Sequence, residues 1–129
     1  NRPASLDTIV ATNLHADILS DLAAALAGSL GIAPTANLDP ERRYPSMFEP
    51  IHGSAFDIMG QGVANPVGTF WSCVMLLEHL GEAAAAGRLM QAIETVTATP
   101  ALHTRDLGGQ ATTADVTQAV CRQLAAATR

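Results

Sequence analysis

The feature that most constrains this chain is the segment 48–66, a polar loop with three glycines placed directly before a strong helix start. Gly53, Gly60 and Gly62 allow backbone to approach a bound group without a Cβ in the way. The pair Asn65-Pro66 is typical of a helix N-cap and first helical residue. The segment therefore predicts a ligand held at a helix N-terminus, where backbone N–H groups are free. A plain connection before a well-capped helix is the alternative that composition alone favours.

The order of residues in this loop favours a ligand-binding loop over a plain connection. His52 and Asn65 offer hydrogen-bonding edges, and Asp57 can accept hydrogen bonds from a diol. The whole string resembles the adenosine-binding loop of the β-decarboxylating dehydrogenases, the family of isopropylmalate, isocitrate, D-malate and tartrate dehydrogenases. Phe56 stands where that family usually has proline. Together with Phe56, the stretches 45–48 and 70–72 are most similar to the tartrate and D-malate branch.

Length and composition limit the remaining possibilities. The 129 residues suffice for one domain, 48% of them hydrophobic and 15% charged, with no apolar run long enough to span a membrane. A net charge of −5 without a basic stripe predicts that nucleic acid is not a partner. Cys73 and Cys121 have no metal-ligand or disulfide spacing, and we expect both to be buried thiols of a cytoplasmic protein.

Hydrophobic periodicity predicts an α/β chain. A β-branched run at Leu6 to Thr12 and a short piece at Met47 to Ile51 favour strands, whereas residues 32–44 favour a loop. Helical spacing and capping residues predict four helices, running from Asn13 to about Gly28, from Pro66 to Leu80, from Glu82 to Thr97 and from Thr113 to Ala127.

The resemblance also implies a fold and indicates which part of a family member this chain corresponds to. It implies the C-terminal portion of a two-domain α/β fold that binds its dinucleotide outside the Rossmann pattern, mostly helical with a few short strands. The chain opens at Asn1 without methionine and enters the strand-like run at once. We therefore expect residues 1–129 to be a single C-terminal fragment that carries half of a metal site and the adenosine-binding loop.

Asp17 and Asp21 lie four residues apart, so both carboxylates project from one helix face. Spacing alone favours an ordinary solvated acidic face. The frame 11–21, however, resembles the family segment whose two aspartates bind the divalent metal. Carboxylate oxygens suit Mg²⁺ or Mn²⁺, which the resemblance implies as the metal, acting as a Lewis acid on the substrate hydroxyl and on the enolate left by decarboxylation.

The resemblance also implies the cofactor contacts. It assigns the adenosine ribose to Asp57, the adenine edge to Asn65 and the vicinity of the nicotinamide ribose to Glu49. A carboxylate beside a ribose accepts from the 2′-hydroxyl and repels a 2′-phosphate, which predicts NAD rather than NADP. NADP-using members carry Lys-Tyr in place of Asp57-Ile58. The adenosine and pyrophosphate are assigned to His52, Gly53, Ser54 and Ala55.

The expected function is therefore that of a part of an NAD-dependent, Mg²⁺- or Mn²⁺-dependent oxidoreductase. The implied reaction oxidises a small 2-hydroxy dicarboxylic acid of the tartrate or D-malate type, with or without β-decarboxylation, in a homodimer. Its substrate-gripping and acid–base residues precede Asn1 in the family, so we expect no catalytic residue in the fragment and no activity from it alone. A 3-isopropylmalate dehydrogenase fragment and a non-catalytic nucleotide-binding or dimerisation module are the alternatives.

Overall fold

The computed structural model describes residue 2 and residues 5–127 of the chain. They contain four α-helices and one small hairpin. The helices are α1 (Asn13–Ala27), α2 (Val67–His79), α3 (Ala83–Thr97) and α4 (Thr113–Ala126), and the strands are β1 (Pro34–Asn37) and β2 (Met47–Pro50). Short 3₁₀ turns lie at Leu30–Ile32, Pro100–Leu102 and Arg105–Leu107. The predicted class, mostly helical with few short strands, is confirmed.

The core lies where α2, α3 and α4 pack together. Val74 of α2, Ile93 and Val96 of α3, and Val116 and Val120 of α4 are all at most 3% exposed. They recur at helical spacing on one face of each helix, as the sequence pattern requires for a buried face. Thr112 and Asp115 form a capping box that fixes where α4 begins.

The hairpin packs against α2 and sets the position of the segments that precede the long loop. Strands β1 and β2 pair antiparallel, with Thr35 opposite Glu49. Gly68 makes the close approach possible, because a Cβ there would lie 2.9 Å from the carbonyl oxygen of Gly31 and 3.3 Å from Cβ of Pro50. The loop that follows β2 therefore begins close to α2, the helix that it precedes in the sequence.

Helix α1 stands apart from this core. Its residues Leu14, Ile18, Leu22 and Leu26 share one face, and each is more than half exposed. The helix ends at Gly28, whose φ of 132° only glycine adopts readily. The predicted end near Gly28 is confirmed, while the N-cap is Thr12 rather than Asn13.

Three sequence-based expectations are wrong. Residues 6–12 form no strand, since no described segment pairs with them in a sheet. The partner of β2 is instead Pro34–Asn37, which lies inside the predicted loop 32–44. The sequence did not indicate this strand because proline and asparagine weaken the strand signal there. Cys73 and Cys121 are exposed rather than buried.

Candidate cofactor-binding site

The long loop between β2 and α2 forms one side of an open cleft of about 1020 Å³. The opposite sides come from the turn after α1, the turn before α4 and the first residue of α4. The cleft is lined by Ser29, Leu30, Gly31, residues 52–55, 57–60 and 62–65, Arg105, Asp106 and Thr113.

Local turns give the loop its shape. Ile58 N–H donates to the Ala55 carbonyl at 3.0 Å, and Ala55 itself has φ of 44°, which a non-glycine residue adopts only when its surroundings hold it there. Thr113 of α4 anchors the loop's far end, because its N–H donates to the Gly62 carbonyl at 2.8 Å and its hydroxyl to the Ala64 carbonyl at 2.5 Å. The loop is thus fixed to the helical core.

The loop glycines differ in what requires them. Gly60 and Gly62 have φ of 77° and 70°, so their backbone conformation favours glycine. Gly53 has no such requirement, and a Cβ added there would meet no atom within 4 Å. Gly31, across the cleft, is different again, since its Cβ would lie 2.8 Å from Asp106 Oδ2. Among these four cleft glycines, Gly53 is therefore the one that neither backbone conformation nor packing explains.

Asn65 connects the loop to the opposite wall. Its Oδ1 accepts from the Val67 N–H at 3.0 Å, and its Nδ2 donates to Asp106 Oδ2 at 3.0 Å. The N-cap of α2 is Pro66 rather than the predicted Asn65, although the Asn65 side chain does bond the first N–H of the helix. Asp106 also accepts from the hydroxyls of Ser29 and Thr104. Partial burial raises the pKa of the Asp106 carboxyl, but the hydrogen bonds from Ser29, Thr104 and Asn65 outweigh it and hold that pKa below its ordinary value.

Seven of the eight residues that the sequence predicts for the cofactor lie together in this cleft. They are His52, Gly53, Ser54, Ala55, Asp57, Ile58 and Asn65. Glu49 does not line it: this residue is exposed on β2, opposite Thr35. Asp57 is exposed, and no side chain of the described residues bonds its carboxylate, so its oxygens can accept from a ligand.

The predicted metal-binding aspartates form a separate feature. Asp17 and Asp21 are both exposed on α1, one turn apart. No third carboxylate, histidine or cysteine joins them among residue 2 and residues 5–127. Two carboxylates with open positions suit a hard divalent cation, and the remaining ligands would have to come from groups other than these described residues.

Ser29 and Arg105 are among the cleft residues that sequence reasoning did not identify. Ser29 lies in a glycine-flanked turn that carries no ligand signature, and only the fold brings it to Asp106. Arg105 lies in the short turn before α4 and is the only lysine or arginine among the lining residues that the structure describes. Its position beside Asp106 and three residues before the pair Gly108-Gly109 was the available signal.

The chain belongs to the isocitrate/isopropylmalate dehydrogenase family, whose family model matches residues 1–120. Among its relatives, a probable tartrate dehydrogenase/decarboxylase from Agrobacterium vitis is 71% identical over 124 residues, which are 96% of this chain and 34% of that protein. A D-malate dehydrogenase [decarboxylating] from Escherichia coli is 48% identical over 94% of this chain and 35% of that protein. The predicted resemblance is confirmed.

Solved structures agree with this family. Isocitrate dehydrogenase from Methylococcus capsulatus matches with a TM-score of 0.84 and 39% identity, over 95% of this chain and 36% of that one. The chain spans about a third of the length of its curated relatives. Within the described part, no helix is both long and apolar enough to cross a lipid bilayer.

Proposed function

We propose that this chain supplies the adenosine-binding half of the NAD site, and two carboxylates of a Mg²⁺ or Mn²⁺ site, to a dehydrogenase acting on a tartrate- or D-malate-type 2-hydroxy acid. The observation that carries the proposal is the cleft of about 1020 Å³ that gathers seven of the eight predicted cofactor residues. A pocket of this size is sufficient for a nucleotide.

The chemistry of the cleft favours NAD. The Asp57 carboxylate is exposed and can accept from the ribose hydroxyls, whereas a 2′-phosphate in the same position would meet like-charge repulsion. Gly53 leaves room for the ligand to reach the backbone closely. The Asn65 side chain is largely committed to Val67 and Asp106, so its backbone groups are the better candidates for the adenine edge.

The metal site is the second part of the proposal. Asp17 and Asp21 would hold the cation through carboxylate oxygens, and their repulsion across one helical turn would be relieved by the charge between them. When bound, the cation would stabilise the negative charge that develops on the substrate oxygen. Because two carboxylates are an incomplete ligand set, this proposal requires donors beyond the described residues.

The exposed apolar face of α1 supports a homodimer. Leu14, Ile18, Leu22 and Leu26 present a continuous apolar surface that water would otherwise solvate. We expect this face to be buried against a second copy. Leu22→Arg in the full-length protein should convert a dimer into a monomer in sedimentation equilibrium, and an unchanged mass would refute this arrangement.

The substrate follows by similarity from the tartrate and D-malate relatives. We propose oxidation of such an acid, with decarboxylation as the accompanying step and a cytoplasmic location. A 3-isopropylmalate dehydrogenase part and a non-catalytic nucleotide-binding module remain the alternatives. Steady-state kinetics of the full-length protein with NAD, Mn²⁺ and tartrate, D-malate or 3-isopropylmalate would distinguish these possibilities. Activity with none of the three acids would favour the non-catalytic module.

Calorimetric titration tests the cofactor assignment on the chain itself. NAD should bind in preference to NADP, and Asp57→Asn should reduce that preference by roughly one order of magnitude, because the loss of one hydrogen bond and one repulsive charge is worth about 1–2 kcal/mol. Asp7→Asn removes an exposed carboxylate outside the cleft and should change neither affinity. Equal affinity of the wild-type chain for both dinucleotides would contradict the assignment of Asp57.

A further inference from the structure

One carboxylate, that of Asp106, connects three segments of the cleft wall. Its Oδ2 accepts from Ser29 Oγ and from Asn65 Nδ2, the latter at 3.0 Å, and its Oδ1 accepts from Thr104 Oγ1 at 2.5 Å. The three donor residues are 8%, 7% and 1% exposed, respectively. Buried donors of this kind are costly to leave without an acceptor, so the position of the Asp106 carboxylate determines where they lie.

We propose that Asp106 is a positioning residue for dinucleotide binding, an inference that rests on the proposed NAD site. By holding Ser29 and Asn65 together, it fixes the distance between the segment 29–31 and the end of the long loop. Those two segments face each other across the cleft.

The packing around Gly31 makes this connection stiff. Ser29 Oγ also accepts from the Gly31 N–H at 2.9 Å. A Cβ at residue 31 would lie 2.8 Å from Asp106 Oδ2 and 2.9 Å from Asn65 Cβ, so no spare volume separates the three segments. Movement of the carboxylate therefore moves both walls.

Charge and hydrogen-bonding capacity explain why an aspartate suits this place. The ionised carboxylate only accepts, and it meets three side-chain donors. In Asp106→Asn the new NH₂ group would face either the donors of Ser29 and Asn65 or that of Thr104. At least one buried donor then loses its acceptor in either orientation.

The test compares Asp106→Asn with a matched variant outside the cleft. Asp39 also accepts three hydrogen bonds, from the N–H groups of Glu41, Arg43 and Tyr44, but its loop does not line the cleft. Calorimetry of the full chain should give a Kd for NAD that is roughly tenfold to hundredfold higher in Asp106→Asn. Asp39→Asn should stay within about twofold of the wild-type Kd, even if its Tm falls.

Two further measurements keep the inference testable. Ser29→Ala removes one donor and should raise the Kd roughly threefold to tenfold, which serves if Asp106→Asn does not fold. In the full-length dehydrogenase, Asp106→Asn should raise the KM for NAD while kcat stays nearly constant, since positioning of the adenosine affects binding rather than chemistry.

The outcomes separate this inference from the function on which it rests. A wild-type chain that binds no NAD overturns both. A wild-type chain that binds NAD, with a folded Asp106→Asn variant of the same affinity, overturns the inference alone. An Asp39→Asn variant that weakens NAD binding as much as Asp106→Asn also overturns it, because general destabilisation would then explain the loss.

Discussion

Gly31→Ala is the substitution whose effect the structure fixes most closely. The new Cβ would lie 2.8 Å from Asp106 Oδ2, 2.9 Å from Asn65 Cβ and 3.2 Å from Ser29 Oγ, all inside the 3.4 Å at which ordinary contacts begin. Asn65 Nδ2 donates a hydrogen bond to Asp106 Oδ2, so neither side chain can move away without breaking the network. Overpacking costs about 1–3 kcal/mol, and a lost hydrogen bond adds about 0.5–1.5 kcal/mol.

The free energy of unfolding should therefore fall by about 1.5–4.5 kcal/mol, which for a chain of this length lowers Tm by roughly 5–20 °C. Urea unfolding followed by circular dichroism measures the first quantity, and calorimetry measures the second. NAD affinity should fall as well, because the displaced groups line the cleft.

Gly53→Ala is the matched control on the other side of the cleft. A Cβ there meets no atom within 4 Å, so stability should change by no more than about 0.5 kcal/mol. NAD affinity should nevertheless decrease, since the methyl group enters space assigned to the ligand. Equal stability of Gly31→Ala and Gly53→Ala would refute the packing argument.

Three other outcomes are expected. In the full-length protein, Asp57→Lys with Ile58→Tyr should lower the ratio of kcat/KM for NAD over NADP by roughly one to two orders of magnitude, and an unchanged ratio would mean that Asp57 does not face the ribose. Asp17→Asn or Asp21→Asn should abolish Mn²⁺-dependent turnover, while calorimetry still detects NAD binding. Unchanged Mn²⁺-dependent turnover in either variant would mean that both aspartates are ordinary solvated surface residues. Hydrogen bonds outweigh burial and lower the pKa of Asp106 in the folded chain. The contribution of Asp106 to stability is therefore present above its unfolded pKa of about 3.9 and is lost as pH falls through its folded pKa. In urea unfolding from pH 6 to pH 2, the free energy of unfolding should fall less steeply for Asp106→Asn than for the wild type.

The helices were predictable because their signals are local. The spacing of Ile93 and Val96, the left-handed glycines at 28 and 81, and the polar start of α4 each act within a few residues. The hairpin was harder, since Pro34–Asn37 becomes a strand only through pairing with Met47–Pro50. Local propensity contains no information about such a partner.

The cleft was predictable only in part, for the same reason. The loop residues carry an ordered motif, so the sequence identified Asp57 and His52 as candidates. Ser29 became visible only when folding brought it to Asp106, across 77 positions of sequence. Hydrogen bonds between distant segments leave no periodic or spacing signal in a single sequence.

The most direct test of the NAD-binding assignment is a titration of NAD into the ¹⁵N-labelled chain, followed by amide chemical shifts. We predict saturable shifts at Gly53, Gly60 and Gly62, which line the cleft, and none at Gly81 and Gly87, which lie away from it. Shifts that do not saturate, or that are as large at Gly81 and Gly87 as in the loop, would contradict the assignment of this cleft to the cofactor.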